Sequence, residues 1–228
     1  MKRTPCIIVA LIVIAACLPA WGADFVTPTL PAKSDLASTG RNPFFVLDPG
    51  YTLILKSKTG KLVITVLNET KKVDGVETRV VEERESENGK LVEVSRNYFA
   101  ISKKDKTVYY FGEDVDMYDK TGTKITGHGG SWLAGVKGNK PGIAIPGNPK
   151  VGDKYYQEVA PKVAMDRAEI VSLTETLKTP AGTFKNVLKT FETSAVETNA
   201  KDHKYYAKGI GLLKDGDMLL VKHGYAKK

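Results

Sequence analysis

Three histidines, His128, His203 and His223, are the first residues to ask about chemistry. None pairs with a second ligand at the short spacing that a zinc site or an HExxH helix needs. His128 lies three residues before Ser131, next to Gly129 and Gly130. A Ser–His catalytic pair would need its serine on a strained nucleophile turn, and no Gly-x-Ser-x-Gly pattern surrounds Ser131. Glu113, Asp114, Asp116 and Asp119 are hard oxygen ligands of the type that holds Ca²⁺. Their spacing does not match an EF-hand loop, and no bidentate Glu closes it. They read as a solvated acidic hairpin. The only cysteines are Cys6 and Cys17, both near the N-terminus. A chain cut after Gly22 would have no thiol for a disulfide, a metal or a nucleophile. The residues therefore predict no enzyme, no catalytic set, no metal and no cofactor.

The aromatic residues suggest binding. Trp132, Tyr98, Tyr109, Phe111, Tyr155 and Tyr205 fall on expected strands or at loop ends. Tyr and Trp join an apolar body to a polar tip, which suits the rim of a ligand concavity. These six are the candidate ligand-binding residues, with Tyr206 beside them.

The elements that would position them are strands. Between Glu169 and Leu177, Val171, Leu173 and Leu177 share one parity, while Ser172, Thr174 and Thr176 hold the other. Successive strand side chains point to opposite faces, so this pattern buries one face and wets the other. Pro180-Ala181-Gly182 turns the chain into a second long strand, Phe184–Thr193. Tyr205 to Leu213 bends at Gly209 and Gly211, and Asp215-Gly216 is a hairpin signal before Met218–Val221. Asp48-Pro49-Gly50, Thr59-Gly60, Asp74-Gly75, Asn88-Gly89 and Thr121-Gly122 punctuate the first half in the same way. Glu82, Glu83, Arg84 and Glu85 are expected to carry one strand past the core into solvent. Lys106–Phe111 and a hairpin over Glu113–Lys124 are expected as separate elements. Gly127–Gly152 holds eight glycines and three prolines without periodicity. It reads as a loop across an open end of the sheet. A short helix is expected over Pro161–Ala168.

The N-terminus has a targeting plan. Lys2 and Arg3 precede an apolar run of ten residues, Ile7–Ala16. That run is too short for a permanent membrane span, which takes about 20 residues. Residues 1–22 read as a signal peptide. Ile14-Ala15-Ala16-Cys17 resembles a lipobox ending in an acylated cysteine, and Ala20-Trp21-Gly22 offers ordinary cleavage. Residues 23–41, rich in Pro, Ser, Thr and Ala, read as an extended arm, and 42–224 as one antiparallel β domain. The net charge of +8 is spread among acidic neighbours. Nucleic-acid binding would want a clustered basic stripe instead. The scattered charge is compatible with weak attraction to anionic surfaces.

Four motifs, NPFFVLDPG near the start, GSWLAGVKGNKPGI in the middle, and TPAGTFKN and KYYAKGIGLLKDGD near the end, span most of residues 42–222. In this order the chain resembles a family of bacterial exported domains of unknown function. The resemblance implies an antiparallel β domain in the periplasm or cell envelope, related to half-barrels that carry lipids or lipoproteins. It supplies no catalytic residues.

The resulting expectation is a mainly β protein: a single curled antiparallel sheet or half-barrel with at most one or two short helices. It would bind an apolar or amphipathic ligand, or a lipidated partner, in the sheet's concavity. The alternative is an interaction module that pairs with an envelope protein through exposed strand edges. Membrane contact would come only through a lipid on Cys17.

Overall fold

Long alternating runs separated by two-residue turns leave this chain little choice but to meander. In the computed structural model, which describes residues 24–225, 62% of the described residues are strand. The targeting segment, with Cys17, lies outside the described residues. One 3-10 turn, Lys33–Asp35, leads into β1 (Leu36–Ala37). β2 (Arg41–Asn42) and β3 (Phe45–Val46) pair with each other as a small second sheet. A meander follows: β4 (Tyr51–Lys56), β5 (Gly60–Val73), β6 (Val76–Glu87), β7 (Lys90–Ser102) and β8 (Val108–Tyr118). Next come β9 (Ile125–Gly127), β10 (Trp132–Leu133), β11 (Lys140–Ile145), β12 (Lys154–Tyr156) and β13 (Glu158–Val159). The chain ends with β14 (Asp166–Thr179), β15 (Gly182–Ser194), β16 (Lys201–Asp202), β17 (Tyr205–Ala207), β18 (Gly211–Asp215) and β19 (Met218–Tyr225).

The turns form where the sequence places them. Asp74-Gly75 and Asn88-Gly89 both have positive φ at both positions, as a primed hairpin turn requires. The sheet then curls until β19 pairs with β4, Leu220 opposite Leu55 and Tyr225 opposite Tyr51. This makes a nearly closed barrel, a further degree of closure than a half-barrel, and it still belongs to the expected mainly β class. Ladder pairing is thin at the seam, where β11 meets β13 through two residue pairs, Lys140 with Val159 and Pro141 with Glu158. Gly142 lies there with no room for a side chain, because a Cβ would run into the Gln157 carbonyl. The arm is tied down as well. Val26 bridges Tyr155, β1 pairs with β7, and Leu36 is buried.

Three expectations need correction. Gly127–Gly152 is not a crossing loop. It supplies β10 and β11, which, with β9, take successive lengths of the free edge of β8. Gly129 and Gly130 near its start, and Ala144 and Ile145 of β11, line the barrel interior. Gly142 and Gly147 are needed because backbones approach closely there, a Cβ running into the Gln157 and Asp105 carbonyls respectively. The expected helix over Pro161–Ala168 is a turn followed by the start of β14, and the described residues contain no α-helix. Lys106–Phe111 and the strand after it are one element, β8. Its register against β7 slips between Asn97 and Phe99. Gly112, at φ +132°, sits at that bulge.

The barrel has a stoppered end. Asn42 donates from Nδ2 to the Lys106 and Pro146 carbonyls, both at 2.9 Å, and its Oδ1 accepts from the Phe44 amide at 2.7 Å. The Gly209 amide donates to the Pro43 carbonyl at 2.7 Å. These bonds seat the β2–β3 hairpin across the barrel, with Phe44 and Leu47 buried.

Candidate functional site

Inside the barrel is a cavity of about 530 Å³. That lies within the roughly 300–1,000 Å³ typical of small-molecule sites. Alternation along each strand sends one parity inward, and the inward residues change character along the axis. Near the stopper they are apolar: Phe45, Tyr51, Leu53, Val66, Val81 and Phe99. Toward the other end they are acidic: Glu83 from β6, Glu93 from β7, Glu113 from β8, Glu158 from β13 and Glu192 from β15. Eight carboxylates line the cavity, and Lys204 is the single Lys or Arg among its lining residues.

Lys204 is already committed. Its ammonium lies 3.5 Å from Glu192 and 3.4 Å from Asp215, and Glu192 foremost holds its pKa well above the ordinary value. Glu83, Glu93, Glu113 and Glu158 form no ion pair among the described residues. Burial pushes Glu83 up to about 7, and Glu113 up to about 8. Burial likewise drives Glu158 well above the carboxylate range, with the nearby Glu113 and Asp166 adding to it. Desolvation favours the neutral acid in each case. Glu83 is enclosed by the wall while its side chain still meets the cavity, so its environment is intermediate between core and water.

An aromatic line runs along the wall toward these acids. Phe45 and Phe99 have ring centroids 5.1 Å apart, Phe99 and Tyr110 stack at 4.7 Å, and Tyr110 meets the edge of Trp132 at 5.5 Å. The Tyr110 hydroxyl donates to Asn97 Oδ1 at 2.5 Å. Trp132 is only 4% exposed, and its indole N–H has no hydrogen-bond partner. That N–H is close enough to Glu158 to oppose the rise in its pKa without closing a bond to it.

The six aromatic residues chosen from sequence are not brought together, and none is among the residues lining the cavity. Tyr98 is on the outer face, where its hydroxyl donates to Asp114 at 2.5 Å and accepts from Lys71 at 3.1 Å. Tyr109 and Phe111 flank the inward Tyr110 and are buried on the opposite parity. Tyr155 is buried with its hydroxyl unpartnered. Tyr205 is half-buried, with the Lys189 and Lys214 ammoniums each 5.4 Å from its ring centre. Trp132 comes nearest to the site, through its contact with Tyr110 and Glu158. The acidic hairpin disperses too. Glu113 faces inward, Asp114 pairs with Lys71 at 2.7 Å, Asp116 lies 3.0 Å from His128, and Asp119 binds its own turn. Ser131 Oγ accepts the Val115 amide at 2.8 Å, so His128 and Ser131 serve separate backbone contacts.

Sequence reasoning missed the inward carboxylates. Glu83 and Glu85, read as solvent-facing, alternate with Glu82 and Arg84 so that Glu83 points into the cavity. The signal was present: a Glu at every second position of a strand is a one-faced acidic stripe. Closure of the sheet is what turns that face inward.

Fold and cavity define a class: a nearly closed antiparallel β-barrel with an interior that is greasy at one end and carboxylate-rich at the other. No protein-family model matches the chain, and neither a curated protein nor a solved structure matches it.

Proposed function

We propose that this protein binds an amphipathic small molecule inside the barrel and performs no chemistry on it. The observation that carries this reading is the 530 Å³ cavity with its two unlike ends. An apolar floor takes hydrocarbon out of water, worth roughly 25 cal/mol per Å², and a polar mouth fixes orientation. The targeting plan of residues 1–22 and the resemblance to exported bacterial domains support a site of action in the periplasm or cell envelope. Pairing with an envelope protein by strand addition has less support, because closing β19 onto β4 uses edges that such a partner would need.

Titration with the neutral dye N-phenyl-1-naphthylamine tests the reading. One saturable site per chain is expected, with fluorescence enhancement. Val66→Phe, which fills the apolar floor, should lower dye affinity at least fivefold while the protein stays folded. A folded wild-type protein that binds no dye, and carries no small molecule on native mass spectrometry, would refute the proposal.

A further inference from the structure

We infer that the molecule held in the barrel is an organic cation, with an ammonium head between Glu113 and Glu158 and an apolar part along Phe45, Phe99 and Tyr110. This inference rests on the barrel being a small-molecule site, and it names the class of molecule that site takes.

Charge is the first argument. Eight carboxylates face the cavity against one ammonium, and that ammonium is held by Glu192 and Asp215. Evenly matched interior charges would point to a structural network, whereas this interior has far more acids than its one ammonium can pair with. The second argument is a buried indole N–H without a partner, set beside an unpaired carboxyl group that lines the cavity. Glu158 is 9% exposed and lines the cavity, and it forms no ion pair among the described residues. Trp132 offers its indole N–H to the same place without a partner. Orphaned buried groups of this kind are rare and call for an explanation. A cation beside Glu158 supplies one. It stabilises the ionised carboxylate, which becomes a stronger acceptor for the Trp132 N–H. The third argument is the aromatic line from Phe45 to Tyr110, whose ring faces attract a cation as well as hydrocarbon.

Other occupants fit less well. No group of three or more described Asp, Glu, His or Cys side chains is placed to ligate a metal ion. A fatty carboxylate would meet a wall of its own charge. A neutral alcohol leaves Glu158 as it is.

Ionisation of the site also involves its neighbours. Glu113 faces Tyr110, Glu83, Glu93 and Asp166, and Glu158 faces Glu113, Asp166, Trp132 and Lys204. Tyr110, Trp132 and Lys204 favour the ionised acids, but the carboxylate neighbours and burial oppose a second negative charge, so an arriving cation displaces a proton from the pair.

Isothermal titration calorimetry with octyltrimethylammonium, octanol and octanoate, all below micellar concentration, tests this. The quaternary head carries no exchangeable proton, so any proton released comes from the protein. At pH 7 the ammonium should bind at least tenfold more tightly than either other probe. Comparing phosphate with Tris buffer should show release of up to one proton per ligand bound. Glu113→Gln/Glu158→Gln should remove both the preference and the proton release while octanol binding persists. Should that variant also lose octanol, Glu158→Asp decides: it must keep the preference for the ammonium. Octanol binding as tightly as the ammonium would overturn the cationic head and leave the small-molecule reading standing. Failure of all three probes, together with failure of the neutral dye, would overturn both.

Discussion

Glu83 and Glu113 hold protons that the unfolded chain would release at the same pH, because the barrel wall raises them to about 7 and about 8 from an ordinary value of 4.5. The folded state then binds more protons than the unfolded state across that window. Stability therefore falls as pH rises from about 4.5 and levels off above about 8. The depressed pKa values of Asp105 and Asp114 act in the opposite direction, and only as pH falls below their unfolded values. Thermal unfolding of the ligand-free protein should show a midpoint that declines between pH 5 and pH 8. Glu83→Gln/Glu113→Gln should flatten that decline and raise stability at pH 8 by roughly 1–3 kcal/mol per site. A profile unchanged in the double variant would show that neither acid is held neutral. Two aromatic changes separate a satisfied polar group from an orphan. Tyr110→Phe removes the donor that Asn97 Oδ1 uses and should cost about 1–2 kcal/mol in urea unfolding. Trp132→Phe removes a buried N–H that has no partner. It should cost less than about 1 kcal/mol beyond the lost ring volume. A larger loss from the Trp132 change would mean that its N–H is bonded after all.

At the level of elements, the seam between β11 and β13 is a thin part of the wall, held by two residue pairs. Gly142→Ala puts a methyl group into the Gln157 carbonyl, and only separation of the two strands relieves it. It should destabilise the protein by roughly 2–4 kcal/mol. Hydrogen exchange should quicken in β11 and β13 before it does in the β14–β15 ladder. Uniform exchange would show that the seam does not open first. The long hairpins were legible in the sequence, because alternation and Asp-Gly or Asn-Gly turns are local signals. The glycine-rich segment was not, since β9, β10 and β11 are too short to show a period and are strands only because β8 offers them an edge. The site was harder still. Which parity faces inward in β8 changes at the Gly112 bulge, so Tyr110 and Glu113 share the interior although they are three residues apart. Choosing aromatics by type alone therefore selected Tyr109 and Phe111, the neighbours of the inward residue. The carboxylate stripe of β6 was visible as a pattern, but its meaning depended on closure by β19, a contact between opposite ends of the chain.

Over the whole molecule, acids and bases are sorted by side. The chain is +8 overall while eight of its carboxylates face the cavity, so the outward surface is more basic than the net charge suggests. A basic exterior draws the barrel toward anionic surfaces, and salt weakens this, since the screening length shrinks to about 3 Å at 1 M. The folded domain should co-sediment with phosphatidylglycerol vesicles at low ionic strength and be released at high salt. Phosphatidylcholine vesicles should not retain it, and retention by both lipids alike would point to hydrophobic adsorption instead. The β2–β3 stopper has a kinetic consequence. With Asn42, Phe44 and Leu47 sealing one end, the barrel is a cul-de-sac rather than a conduit, and an occupant must back out through the doorway by which it came in. Loading and unloading cannot overlap. A newcomer cannot push the resident from behind, so turnover at saturation is governed by how fast the resident departs.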